Sequence, residues 1–264
     1  MHELLTPSEA ISSVHQIVTG LPACIVGSSV AAETYGLPLG DEADVDVFCF
    51  TPEAVMVTVQ KLFSDFDLAP RFERVWKRWL KYGLSNWHTL SIKLEHRKTG
   101  LTVNVVHKKT GRAPVSSLSQ VLESFDFGLL AMGYDVELGT FHDMRSYMFP
   151  TLDPNGPLPL MHLRRDSWRN GFISEYQGLR EMGRYAKYCS YGFDMSLVKQ
   201  DLIEGYMNAA AYLSDRDNPQ KQMLSKLYYS AADKIENDDL AALDQVSAML
   251  PTLDSLDTLM DALE

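Results

Sequence analysis

The residues with the most chemical potential stand in one short run. Asp44-Val45-Asp46 opens an alternating stretch that continues Val47-Phe48-Cys49-Phe50. Successive side chains of a strand point to opposite faces, so this spacing puts both carboxylates on one face and Val45 and Val47 on the other. Two carboxylates side by side repel, and burying them unpaired is costly. A hard divalent cation removes both problems, and Mg2+ favours oxygen ligands of this kind. The same repulsion predicts that Asp44→Ala or Asp46→Ala holds or raises the thermal midpoint of the metal-free protein. Just upstream, Cys24-Ile-Val-Gly27-Ser28-Ser29 reads as an apolar strand, a tight turn and a helix start. Backbone N–H groups and a hydroxyl at such a turn can cradle a phosphate. A phosphate cradle facing a metal-binding carboxylate pair equips a site for phosphoryl or nucleotidyl transfer. The plain structural alternatives are a loop Asp-x-Asp that binds nothing and a strand-to-helix turn that only turns.

Other candidates are more diffuse. Arg184 and Lys187 lie three apart on a helix, followed by Tyr188. They read either as cations for a triphosphate with the ring near a base, or as a solvated face with Tyr188 packed inward. Arg71, Arg74, Lys77, Arg78 and Lys81 recur at helical spacing within the most basic segment, Pro70 to Leu84. That face is either a nucleic-acid or triphosphate contact or a solvated surface backed by Phe72, Trp76 and Trp79. The histidines are scattered, and no Gly-x-Ser-x-Gly elbow or Ser/His/Asp order stands out, so hydrolase chemistry is set aside.

The elements that must position these residues follow from local signals. Thr6-Pro-Ser-Glu9 is a capping box for a helix through about Val18. Strand one is Ala23 to Val26, with Ser28-Ser29 capping a helix over Val30 to Tyr35. Strand two runs from Asp44 to Phe50. Thr51-Pro-Glu53 starts a helix to about Phe63. Leu90-Ser-Ile-Lys-Leu-Glu95 and Leu101-Thr-Val-Asn-Val105 alternate around Lys98-Thr-Gly100, which predicts a hairpin. Ser116 to Tyr134 is expected to be helical with a break near Ser124-Phe-Asp126, and Gly139 to Pro159 to be loop-rich. Beyond Pro159 the reading is nearly all helix, ending in an acidic tail from Asp238 to Glu264.

Length and composition bound the answer. The 264 residues suffice for one large domain or two modest ones, and a 45% hydrophobic fraction is ordinary for a globular chain. A net charge of -11 disfavours a general nucleic-acid coat but leaves room for a local basic groove. The three cysteines form no C-x-x-C pair, which predicts reduced thiols and no zinc site. The Met1-His-Glu-Leu start lacks the basic residues and apolar run of a leader peptide, and no apolar stretch reaches membrane-spanning length. The expectation is a cytoplasmic protein with no membrane partner.

Gly27-Ser28 followed by Asp44-x-Asp46 resembles the nucleotidyltransferase superfamily of the DNA polymerase β type. Its pattern is an apolar residue, Gly, Gly or Ser, a spacer, then Asp-x-Asp/Glu on a strand. The spacer from Ser29 to Ala43 is on the long side. Asn86, Val103-Asn104-Val105-Val106, Val121-Leu-Glu-Ser-Phe125-Asp126-Phe127 with Tyr134-Asp135, and Arg184-Tyr-Ala-Lys187-Tyr188 with Gly192-Phe193 resemble nucleotidyltransferase-like proteins of phages and large DNA viruses. The resemblance spans roughly Ala23 to Phe193. It implies Mg2+ on Asp44 and Asp46, with a two-metal site if a third acid completes it. It implies phosphate contacts from Gly27, Ser28 and Ser29, and charge neutralisation by Arg184 and Lys187. The family's third carboxylate sits on a neighbouring strand. Here Asn104 takes that position, with Glu95 and Asp126 as alternatives, Asp126 ahead of Glu95; Asp135 is read as structural.

These readings predict an α+β chain. A small mixed sheet flanked by helices over 1–150 precedes a helical domain over 151–264, with the site in the cleft between them. The expected activity is Mg2+-dependent transfer of a nucleoside monophosphate from an NTP to a hydroxyl of an RNA end, a protein or a small molecule. The alternative is a catalytically silent protein of the same fold, such as a phage factor that binds a host protein or a nucleotide. A phage origin would make the host cytoplasm its compartment.

Overall fold

The structure, a computed structural model, describes residues 5–38, 44–73, 76–77, 89–110, 113–125, 130–145, 184–193, 195–214 and 219–241. Asp126, Arg74, Arg78, Lys81 and Asn86 lie outside the described residues, as do the side chain of Arg71 and the acidic tail beyond Ala241. The chain divides into two compact units, Met1–Pro159 and Leu160–Glu264, described in turn.

The first unit is built on a mixed sheet. Helix α1 (Pro7–Val18) starts at the expected capping box, with Thr6 and Glu9 bonding each other's backbone N–H groups. Strand β1 (Ala23–Val26) leads through Gly27 into α2 (Ser28–Tyr35). Strand β2 (Asp44–Cys49) and α3 (Pro52–Leu62) follow, the latter capped by the Thr51 hydroxyl on Ala54 N–H. Then come β3 (Phe66–Leu68), β4 (Thr89–His96) and β5 (Thr102–Thr110). They are followed by β6 (Ala113–Pro114), α4 (Leu118–Glu123), β7 (Met132–Asp135) and β8 (Thr140–Asp143). The strand order is β3-β4-β5-β2-β1-β7-β8, with β6 beside the end of β5. Among the described strands only β2 and β5 pair in parallel.

One face of the sheet is the main core. Ile25, Val45, Val47, Ile92, Leu94, Val103 and Val105 pack there against Ala10, Val14 and Val18 of α1 and Val55, Val59 and Leu62 of α3. Each fully buried aliphatic side chain stabilises by about 1.5–3 kcal/mol before ordering costs. A smaller cluster covers part of the opposite face, where Val26, Cys24 and Phe50 meet Leu118, Val121 and Leu122 of α4.

Three local expectations are corrected. Helix α2 begins at Ser28 with Gly27 as its cap, and no side-chain cap bond is made. Gly27 has φ +94°, which only glycine adopts without strain, so the backbone rather than a serine turns the corner. Among the described residues, the helix expected over Ser116 to Tyr134 covers Leu118–Glu123, and Met132–Asp135 is a strand instead. Leu130, Ala131 and Met132 favour helix intrinsically, but pairing of Ile25 with Tyr134 and Val26 with Gly133 overrides that. A Cβ on Gly133 would sit 2.5 Å from Val26 Cγ1 and 3.1 Å from Leu118 Cδ1, so glycine is what lets β7 close against β1 under α4. The stretch expected to be loop-rich contains β8.

Strand β3 was not anticipated, since it has three residues. Arg97 holds its approach by donating to the carbonyls of Phe63, Ser64 and Phe66 and to Asp67 Oδ1. From the basic segment, Pro70–Phe72 forms a 3-10 turn and Trp76 packs edge-on against Phe63.

The second unit is helical where described. A helical run over 184–190 precedes α5 (Ser196–Ser214) and α6 (Pro219–Glu236). Tyr206 and Tyr228 stack between α5 and α6 with centroids 5.5 Å apart, and Ser225 Oγ donates to the Ala210 carbonyl at 2.7 Å. No helix of the described residues is long and apolar enough to cross a membrane.

Candidate active site

The site grows from the face of the sheet opposite the main core. Asp44 and Asp46 share that face, while Val45 and Val47 are fully buried on the other. The parallel register pairs Asp44 with Thr102 and Asp46 with Asn104, and the hairpin then pairs Asn104 with Lys93 and Thr102 with Glu95. Residues paired across strands share a face, so two rows form. One runs Asp46, Asn104, Lys93. The other runs Asp44, Thr102, Glu95.

Directed bonds knit these rows together. Asn104 Nδ2 donates to Asp46 Oδ1 at 2.8 Å, and Ser91 Oγ donates to Asn104 Oδ1 at 2.6 Å. The Asn104 carbonyl is thus occupied by Ser91, and its amide presents a donor to the carboxylate. Lys93 Nζ reaches diagonally to Asp44 Oδ2 at 3.0 Å. Both partners are largely covered, with side chains 29% and 15% exposed. The repulsion expected between two bare carboxylates is therefore already relieved, and that expectation is corrected. Asp44→Ala would strand the Lys93 ammonium rather than relax the site.

The turn after β1 closes the other side. A Cβ built on Gly27 would lie 2.4 Å from Asp46 Oδ2. The carboxylate thus lies directly against the entry to α2. Ser28 is 5% exposed and Ser29 is fully buried, with no hydrogen-bond partner for its hydroxyl among the described residues. An unpaired buried hydroxyl costs about 1–3 kcal/mol, so it is uncommon without a purpose. Glu33 and Tyr35 fix the far end of α2. Tyr134 donates to Glu33 Oε2 at 2.8 Å, and the buried Arg145, paired with Asp143, stacks over the Tyr35 ring and bonds its hydroxyl.

Charge and burial tune several groups nearby. Burial, then the Glu33 carboxylate, pushes Tyr134 up to about 12. Burial raises Cys49 to about 12 and Cys24 well above the usual thiol range, so both behave as inert core residues. Burial also lowers Arg145.

The remaining candidates fall out as follows. Glu95 is exposed and stands level with Asp44, two strands away. Asp135 Oδ1 accepts from Leu138 N–H at 2.9 Å in the β7–β8 turn. Arg184 and Lys187 belong to the second unit, where Tyr188 is buried against Tyr191 and Phe193 and Lys187 lies over the Tyr191 ring. Asp126 lies outside the described residues. No group of three or more acidic, histidine or cysteine side chains that could hold a metal occurs among the described residues. The two carboxylates do fit one hard cation that takes the rest of its shell from water or phosphate, as Mg2+ commonly does.

Lys93 and Ser91 were missed in the sequence. The signal was the alternation of β4, which puts Ser91, Lys93 and Glu95 on one face. What hid it was the order of the strands.

No protein-family model matches the chain, and no curated protein does. Among solved structures, the chain is similar to the Bacillus stearothermophilus CCA-adding enzyme in complex with CTP, at 21% identity and a TM-score of 0.43, over 86% of this chain and 49% of that one. It is also similar to a tRNA nucleotidyltransferase complexed with a primer tRNA and an incoming ATP analog, at 18% identity and a TM-score of 0.40, over 88% of this chain and 62% of that one. A third is an apo form of a CCA-adding enzyme, at 12% identity and a TM-score of 0.42, over 99% and 71%. The chain thus spans about half of the first of these proteins and under two thirds of the second. At such scores the likeness carries no argument about activity or substrate.

Proposed function

We propose that this protein transfers a nucleoside monophosphate from an NTP to a hydroxyl acceptor. The observation that carries the reading is the contact between the Gly27 turn and Asp46, where a Cβ would meet the carboxylate oxygen at 2.4 Å. A helix entry and a carboxylate pair that close together can serve a phosphate and its counter-ion at once. A bound Mg2+, held by Asp44 and Asp46, would supply positive charge to the triphosphate and to the acceptor oxygen. Gly27 and Ser28 orient phosphate oxygens through backbone N–H groups and a hydroxyl, and Ser29 offers its orphaned hydroxyl beneath them. The resemblance assigns the remaining phosphate charge to Arg184 and Lys187 and the third carboxylate to Asp126. This reading assigns residues 1–150 to the nucleotidyltransferase-like domain and 151–264 to the helical one. It sets the work in the cytoplasm, the host's if the chain is phage-encoded.

The acceptor class is open to a direct test. If Arg71, Arg74, Arg78 and Lys81 contact RNA, binding weakens steeply with salt, and each lost contact lowers the slope by about one. No measurable RNA or DNA binding at low salt points to a protein or small-molecule acceptor. Activity is tested with labelled NTPs and these acceptors in the parent protein, Asp126→Asn and Asn104→Asp. Loss of labelling in Asp126→Asn supports a three-carboxylate site, and labelling indifferent to both changes overturns the two-metal form of the reading.

One observation favours a second reading. Asp44 already holds Lys93 and Asp46 already holds Asn104. A carboxylate pair satisfied in this way also suits a catalytically silent protein that binds a nucleotide or a protein partner. Labelling absent from the parent but present in Asn104→Asp would identify that case.

A further inference from the structure

We propose that Lys93 is the resident cation of the Asp44–Asp46 pair, and that a divalent cation reaches the pair only in competition with it. The inference rests on the metal reading above and adds a residue to it. Its grounds are geometric. Lys93 leaves the row of its own register, where Asn104 and Asp46 lie, and crosses to Asp44 at 3.0 Å. Asn104 turns its amide donor rather than its carbonyl to the pair, because Nδ2 faces Asp46 while Oδ1 accepts from Ser91. One tethered ammonium and one amide donor therefore do the work that a cation does between two bare carboxylates. Charge arithmetic supports this: the pair alone carries two negative charges, and with Lys93 it carries one. An ammonium is a compact point charge on a flexible stem, so it can leave Asp44 without moving the backbone. The pair then has two states. In one, Lys93 closes it; in the other, a metal holds Asp44 and the freed ammonium adds its charge to the site.

The test is Mn2+ binding, followed by the electron spin resonance of the free ion, with thermal unfolding as a second readout. The parent, Lys93→Met, Lys93→Arg and Lys93→Met with Asp44→Asn are compared in metal-free buffer and across a Mn2+ titration. Lys93→Met is expected to bind Mn2+ about tenfold more tightly than the parent, since one competing charge at short range is gone. Lys93→Arg keeps the parent's affinity. In metal-free buffer Lys93→Met melts lower than the parent, and either Mn2+ or the added Asp44→Asn change restores the midpoint. Equal or weaker Mn2+ binding by Lys93→Met overturns this inference alone. Absence of Mn2+ binding in both the parent and Lys93→Met overturns the metal reading as well. If Lys93→Met fails to fold without metal, rescue by Asp44→Asn supports the inference, and lack of rescue overturns it.

Discussion

Strands β2, β4 and β5 build two surfaces from alternate residues, and the two obey different rules. On one, Val45, Val47, Ile92, Leu94, Val103 and Val105 are fully buried against α1 and α3. Their contribution scales with area and is non-directional, so a change there costs what it leaves empty. On the other, Asp44, Asp46, Ser91, Lys93 and Asn104 meet through single bonds of 2.6 to 3.0 Å. A change there removes one partner and exposes the need of the other. Leu94 and Lys93 are neighbours in sequence, yet one packs the core and the other pairs with Asp44. Area-driven and bond-driven contributions thus alternate residue by residue along the same strand.

That separation can be broken from either side. The largest effect is expected for Leu94→Ala, which should lower the unfolding free energy by about 2–5 kcal/mol in denaturant melts. Mn2+ affinity of the folded fraction should stay the same; a large change would show that the two faces are coupled. Gly27→Ala comes next, at about 1–3 kcal/mol, from a strained positive φ and a Cβ pressed onto Asp46. Because the added Cβ would meet Asp46 Oδ2, it should also abolish Mn2+ binding. Asp46→Asn keeps size and hydrogen-bonding capacity. Its stability cost should be about 1 kcal/mol, with Mn2+ binding lost in the same titration.

The smallest effect sharpens the comparison at its margin. Tyr134 donates to Glu33 and so ties α2 to the sheet. Burial, then the Glu33 carboxylate, pushes its pKa up to about 12, above the ordinary phenol value of 10.0. Folding therefore favours the protonated phenol. That contribution is complete below pH 10.0 and is lost as pH rises through about 12. The melting midpoint of the parent should fall faster than that of Tyr134→Phe across this window. Parallel curves would mean that the Glu33 contact is of no consequence to stability.

Much of this was legible in the residues themselves. Thr6-Pro-Ser-Glu9 and Thr51-Pro-Glu53 announced α1 and α3, and the alternation of Asp44 to Phe50 put two carboxylates on one face and two valines in the core. Local signals of that kind survive because caps and strand periodicity act over three or four residues. What stayed hidden depends on pairing across long stretches. The resemblance put Asn104 on the strand beside the Asp44–Asp46 pair, as the register has it, but nothing near Asn104 says that Lys93 lies on its other side. Nor does Leu130-Ala-Met-Gly announce a strand, because β1 rather than local propensity makes it one. The ion pair that relieves Asp44 was invisible for the same reason.

The parallel pairing of β2 with β5 has a consequence for how the molecule comes together. Hairpins β4–β5 and β7–β8 close turns of a few residues, and such contacts form early and quickly. The bond between Asn104 and Asp46 spans 58 residues. It requires α3, β3 and the whole β4–β5 hairpin to be delivered to the edge of β2 first. Non-local contacts of this kind slow folding, since the loop must be closed before the contacts reward it. By this argument the carboxylate pair is expected to be completed after the hairpins, with the more distant pairing of Ile25 with Tyr134 later still. A folding chain carries Asp44 and Asp46 bare until Lys93 and Asn104 arrive together on the same hairpin.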